Sequence, residues 1–144
     1  LVPALQAMAE KMQETYNQKV IVSADPHVIP KLEASKQAVI FFIVEEAVNN
    51  SRKHAQAANI WVRIKMLEED FSLLEIEDDG VGFNVGEVDA FYDKRGSLGM
   101  VNMRERAELV NGVLHLESTE GQGTVVQVIL PLTDEAAERM RTQM

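Results

Sequence analysis

Between residues 59 and 78 the sequence alternates twice about a polar turn. In the first run, 59–67, Ile60, Val62, Ile64 and Met66 fall on one side and Trp61, Arg63, Lys65 and Leu67 on the other, as in a strand with one solvated face. Glu68, Glu69 and Asp70 supply the turn, and 71–78 returns as the second arm of a hairpin. Leu74, Ile76 and Asp78 share the inward face of that arm, so the Asp78 carboxylate is expected in a pocket rather than in bulk water.

Around this hairpin, residues 3–18 place Leu5, Met8, Ala9, Met12 and Tyr16 at helical spacing, with Pro3 suited to the first turn. The short β-branched run 20–24 reads as a strand, and Asp25, Pro26 and Pro30 then break the chain into a loop. A second helix starts near Ala34 and runs over 36–54, apolar around much of its circumference, as a helix packed on several sides must be. Over 79–99 the periodicity is lost and glycines gather at 80, 82, 86, 96 and 99, which marks a functional loop or lid. Helical spacing returns over 100–110 and ends at Asn111-Gly112; 113–118 and 124–130 then read as strands about the turn 120–123.

This order predicts an α/β (α+β) two-layer sandwich: a mixed, mostly antiparallel sheet of about five strands with helices on one face. The hairpins count against a doubly wound parallel sheet. Residues 1–132 read as one domain and 133–144 as a charged tail of helical potential with no assigned role.

Composition narrows the chemistry. The longest unbroken apolar run, 38–44, is too short to cross a bilayer, and the absence of cysteine excludes a disulfide framework or a thiolate metal site. A net charge of −9 disfavours a broad grip on nucleic acid, so an anionic ligand has to be met locally.

Three places could meet one. On the second helix, the stripe of Val39, Phe42 and Ile43 continues as Glu46, Asn50 and Lys53. Burying these polar groups unpaired would cost several kcal/mol, so they pair with each other, reach solvent or meet a ligand. The run Asp78-Asp79-Gly80-Val81-Gly82-Phe83 follows a strand directly. A buried carboxylate there wants donors, which the exocyclic amine of adenine would supply, although a tight acidic turn accounts for the same string. Lys94-Arg95-Gly96-Ser97-Leu98-Gly99-Met100 opens the third helix, where free amides and two cations favour a phosphate; a plain helix start is the alternative. Gly121-Gln122-Gly123-Thr124 is either a hairpin turn or a further approach to that pocket.

Taken as an ordered set, these strings resemble the Bergerat ATP-binding fold shared by histidine kinases, gyrase, Hsp90 and MutL. EEAVNNSRKHAQA (45–57), DDGVGF (78–83), GSLGMVNMRERAELVNG (96–112) and GQGT (121–124) are similar to the N, G1 and G2 boxes and closing turn of sensor histidine kinases, in the subgroup typified by nitrate sensors whose response regulators carry LuxR-type domains. The resemblance implies that Asn50 ligates Mg²⁺ on the ATP phosphates and that Glu46 takes the polar or general-base position. It implies that Lys53 and His54 neighbour the phosphates and that Asp78 accepts from the adenine amine. Gly80 and Gly82 would shape the adenine floor, while Gly96, Leu98, Gly99 and Met100 belong to the lid and Thr124 to the closing turn. The aromatic F box of many histidine kinases is not evident between Phe83 and Gly96, where Phe91 and Tyr92 stand.

Histidine kinases carry the phosphoacceptor histidine on a helical hairpin ahead of this domain, and none of His27, His54 and His115 matches it. The resemblance therefore implies the ATP-binding catalytic domain of a two-component sensor histidine kinase, cytoplasmic and not self-phosphorylating. Its expected partners are the parent's dimerisation and phosphoacceptor domain and a downstream response regulator, with no nucleic acid and no direct membrane contact. The alternatives are a gyrase- or MutL-like ATPase in which Glu46 activates water, and an anti-sigma-factor serine kinase of similar architecture.

Overall fold

The computed structural model describes residues 1–55, 57–68, 70–81 and 95–143, the side chains of 54, 55, 95–100 and 143 excepted. The first helix, α1 (Val2–Tyr16), buries Leu5, Ala9 and Met12. It stops short of Gln18 because Asn17 takes a left-handed φ of 53°, and the Asn17 and Gln18 amides return to the Gln13 and Met12 carbonyls. Strand β1 (Lys19–Ala24) follows, then a short 3-10 turn (Ile29–Lys31) and helix α2 (Ala34–Asn50).

Beyond Asn50 the regular helix gives way to one wide π-helical turn, Ser51–Ala55. The single helix expected over 36–54 is therefore two geometries. The wider turn rotates less per residue than an α-helix, so the stripe through Glu46 and Asn50 is not extended to Lys53 by the same 3.6-residue period.

The hairpin forms as β2 (Asn59–Glu68) and β3 (Phe71–Asp78), with a register shift between Met66 and Glu68. Helix α3 (Arg95–Leu109) begins five residues before the helical spacing at Met100 becomes legible. Gly96, Ser97 and Gly99 are weak helix formers, and their low propensity hides the first turns. The chain closes with β4 (Val113–Thr119), β5 (Gly123–Pro131) and α4 (Asp134–Gln143).

The sheet has five strands in the order β1-β2-β3-β5-β4. Only the β1–β2 pair is parallel; the others are antiparallel, as the hairpins required. Ile60, Val62, Ile64, Leu74, Ile76, Val126, Val128 and Leu130 form its buried face, against Ile40, Ile43, Val44 and Val48 of α2. Helix α1 packs on β1, and α3 lies beside α2 and β4, contributing Met103 and Ala107 to the same core. At the hairpin end, α4 buries Ala136 and Ala137. There Arg139 reaches Asp70 at 2.7 Å and lines a shallow groove with Met140, Leu67, Phe71 and Ile129.

Candidate functional site

Asp78 is the last residue of β3, paired with Ile60 on one side and Thr124 on the other, at the end of the sheet's central strands. The alternation that faced it inward holds: it is 7% exposed. Three donors meet its carboxylate. The Gly80 and Thr124 amides donate to Oδ1 at 2.9 and 3.3 Å, and the Ser51 hydroxyl donates to Oδ2 at 2.7 Å. An ionised carboxylate has about four acceptor positions, so the donors among the described residues leave one for a ligand's donor.

The closing turn is shaped around that acid. Gly123 holds φ at 91° so close to β3 that a Cβ would collide with the Asp78 carbonyl oxygen. This bare stretch of backbone is what lets the neighbouring Thr124 amide reach Oδ1. The Thr124 hydroxyl itself is engaged by Ser118 at 2.8 Å. The Gly121 amide bonds the Val81 carbonyl, tying this turn to the segment after Asp78.

The neighbouring acid has a different task. Asp79 is exposed, and its carboxylate accepts from the Ala58 and Asn59 amides at 3.0 and 2.9 Å and from the Asn59 side chain at 2.8 Å. These bonds clamp the start of β2 to the end of β3. Led by those from Asn59, they hold the Asp79 carboxyl below the ordinary aspartate value.

On α2, Glu46 and Asn50 are half-buried and Lys53 is exposed. None of their side chains makes a hydrogen bond or ion pair to another described residue. Of the three fates open to this polar stripe, mutual pairing does not occur, and among the described residues nothing else occupies these groups, which leaves water or a ligand. Asn50 adjoins Ser51, so the helix end that carries this amide is fastened to Asp78 by one side-chain bond. The next residue, Arg52, lays its guanidinium 4.2 Å from the centre of the Tyr16 ring and so joins the same turn to the end of α1.

Of the remaining sequence-predicted residues, Gly80 is buried and donates its amide to Asp78. Gly96, Leu98, Gly99 and Met100 lie in the first turns of α3 rather than in a loop before it; their side chains, like that of His54, lie outside the described residues. Gly82, Phe91 and Tyr92 also lie outside the described residues. Ser51 is the residue that sequence reasoning missed. The signal is present, because Ser51 follows Val44, Ala47 and Val48 by seven, four and three residues, the spacing of the buried face.

The donor set suits a purine nucleotide and its metal. A buried acid with one open acceptor position fits an exocyclic amine, and the uncommitted Asn50 side-chain oxygen suits a hard cation such as Mg²⁺.

Residues 35–134 match the family described as histidine kinase-, DNA gyrase B- and HSP90-like ATPase. An uncharacterized sensor-like histidine kinase of Chloroflexus aurantiacus is 39% identical over 102 residues, which is 71% of this chain and 17% of that protein. The signal transduction histidine-protein kinase/phosphatase DegS of Bacillus subtilis is 31% identical over 140 residues, 92% of this chain and 34% of its own length. The oxygen sensor histidine kinase NreB of Staphylococcus carnosus is 37% identical over 99 residues, 68% of this chain and 27% of its own. The chain thus spans about a third or less of these relatives. A solved histidine kinase domain from a blue-light activated histidine kinase of Erythrobacter litoralis shares the fold, with a TM-score of 0.69 at 22% identity, covering 92% of this chain and 61% of that one.

Proposed function

Because the chain belongs to the histidine kinase-, DNA gyrase B- and HSP90-like ATPase family, we propose that it is the ATP-binding catalytic domain of a sensor histidine kinase, presenting the γ-phosphate to a histidine on a separate domain. The observation that carries this reading is the Asp78 carboxylate, held by three donors from three segments with one acceptor position open. In this reading Asp78 accepts from the adenine amine and Gly80 helps shape the floor of the base site. Asn50 would hold Mg²⁺, which neutralises phosphate charge when bound. Glu46, one turn before it on α2, polarises the incoming acceptor or orders water. Lys53 adds positive charge beside the phosphates, and the first turn of α3 offers its amides to them. Chemistry of this kind is positioning and charge neutralisation, so the chain's own residues have little covalent work to do.

Titration with ATP, ADP and GTP, with and without Mg²⁺, tests the site. Adenine nucleotides are expected to bind in preference to GTP, more tightly with Mg²⁺. Asp78→Asn turns an acceptor into a donor towards the amine and is expected to weaken ATP binding by about 1–3 kcal/mol. Undiminished binding in calorimetry would remove Asp78 from the base site. Rapid steady-state ATP hydrolysis by the chain alone would favour a self-contained ATPase instead.

A further inference from the structure

Ser51 belongs to none of the residues the family resemblance singled out, yet it makes the shortest of the three bonds to Asp78. Both partners are buried, at 4% and 7% exposure, and they come from separate elements. We propose that Ser51 is a positioning residue that sets the choice of adenine over guanine by clamping the Asp78 carboxylate; the proposal rests on the adenine-nucleotide reading above.

The two backbone donors both act on Oδ1. The torsion that turns an aspartate carboxylate is broad and soft, and because its two oxygens move as one rigid plane, each further donor narrows it. Among the described residues Ser51 is the donor that acts on Oδ2 itself, where it takes one of two acceptor positions. A length of 2.7 Å is that of a strong hydroxyl-to-carboxylate bond. With the hydroxyl proton committed to Oδ2, the single open acceptor position points in one direction.

That direction matters because the two purines differ at the atom that would meet it. Adenine offers an amine, a donor, and guanine a carbonyl, an acceptor. A fixed acceptor rewards the first and repels the second. Without the hydroxyl, Oδ2 turns more freely and the vacated volume admits a water. A water donates or accepts as required, so it bridges either base and blunts the distinction. The Ser51 hydroxyl faces the acid and not the Asn50 side chain, so the response of affinity to Mg²⁺ is expected to survive its loss.

The test is titration of the full 144-residue chain with ATP and with GTP, in Mg²⁺ and in chelator, for wild type, Ser51→Ala and Ser51→Thr. Ser51→Ala is expected to lower the ratio of ATP to GTP affinity about tenfold, corresponding to one hydrogen bond to a charged group. Ser51→Thr, which keeps the hydroxyl, is expected to restore the ratio, and the Mg²⁺ effect is expected to be unchanged in both. A purely structural hydroxyl would weaken both nucleotides together, so an equal loss for the two, or an unaltered ratio, overturns the assignment. Wild-type chain with no adenine preference would overturn the nucleotide reading itself, whereas a preference that outlasts Ser51→Ala removes only Ser51. Should circular dichroism show Ser51→Ala unfolded, Ser51→Cys, similar in volume and a weak donor, takes its place: a lowered ratio supports the clamp and an unaltered one overturns it.

Discussion

Asp78 and Asp79 are adjacent, identical in chemistry and opposite in use. Strand parity alone tells them apart: the residue in phase with Leu74 and Ile76 turns inward, and the next turns out to cap β2. That difference is readable in the sequence because a period of two leaves no third choice. Ser51 is not readable in the same way, because a lone serine at the end of an apolar helix has no signature until a partner strand is placed beside it. Asp79 also gives the fold a pH dependence of known sign. Its carboxyl is held below the ordinary value of 3.8, first by the Asn59 amide and then by the Asn59 side chain. A carboxyl lowered in the folded state stabilises it fully above the unfolded value, and the contribution fades as pH falls through the lowered folded value. Asp79→Asn keeps the shape and loses the charge, so the decline in urea midpoint from about pH 5 to pH 2 is expected to be shallower than in wild type. A decline as steep as that of wild type would mean that Asp79 carries none of the acid sensitivity. The same measurement also reads Glu75, whose carboxyl is lowered chiefly by the Gln127 side chain and then by Arg63, so Asp79→Asn is expected to flatten the curve without levelling it.

Elements are legible where one period runs unbroken and illegible where it changes. Strand β3 keeps its alternation from Leu74 to Asp78, whereas α2 changes from an α-helix to a π turn at Ser51, within a stretch whose composition does not change. The start of α3 is hidden for another reason, since glycines signal a loop locally and yet sit inside a helix when packing on α2 supplies the stability. The closing turn shows the reverse case, a glycine whose role is steric. Gly123→Ala meets two penalties at once, a φ of 91° and a Cβ driven into the Asp78 carbonyl. A loss of about 1–3 kcal/mol from the backbone conformation alone is expected, seen as a lower midpoint in chemical denaturation. Relief of the clash would move β5 away from β3, lengthening the Thr124 bond to Asp78, so ATP affinity is expected to fall as well. Stability and affinity both equal to wild type would show that the close approach of turn and strand is not required.

The three histidines are scattered over the chain, in the loop before α2, in the π turn and on β4. His115 is exposed on β4 and paired with Glu117 at 3.0 Å. It lies in register with Gln127 and, through it, Glu75, on the side of the sheet opposite Asp78 and the helices. A phosphate held beside α2 would therefore lie on the other side of the sheet from it. His27 is exposed in the loop before α2, its amide fastened to Asp25 at 2.8 Å, well apart in the chain from the polar end of that helix. His54 stands in the π turn that follows Asn50, next to the proposed phosphate site. Incubation with γ-labelled ATP is therefore expected to leave the chain free of acid-labile, base-stable label. Label is expected to accumulate on a histidine-bearing dimerisation domain from a sensor kinase when one is added, and Asn50→Ala is expected to abolish it. Label on the chain itself that vanishes in His54→Ala would overturn transfer between domains and make this turn the acceptor. Label on the added domain at equal rates with wild type and Asn50→Ala would separate the transfer from the metal-holding role assigned to Asn50.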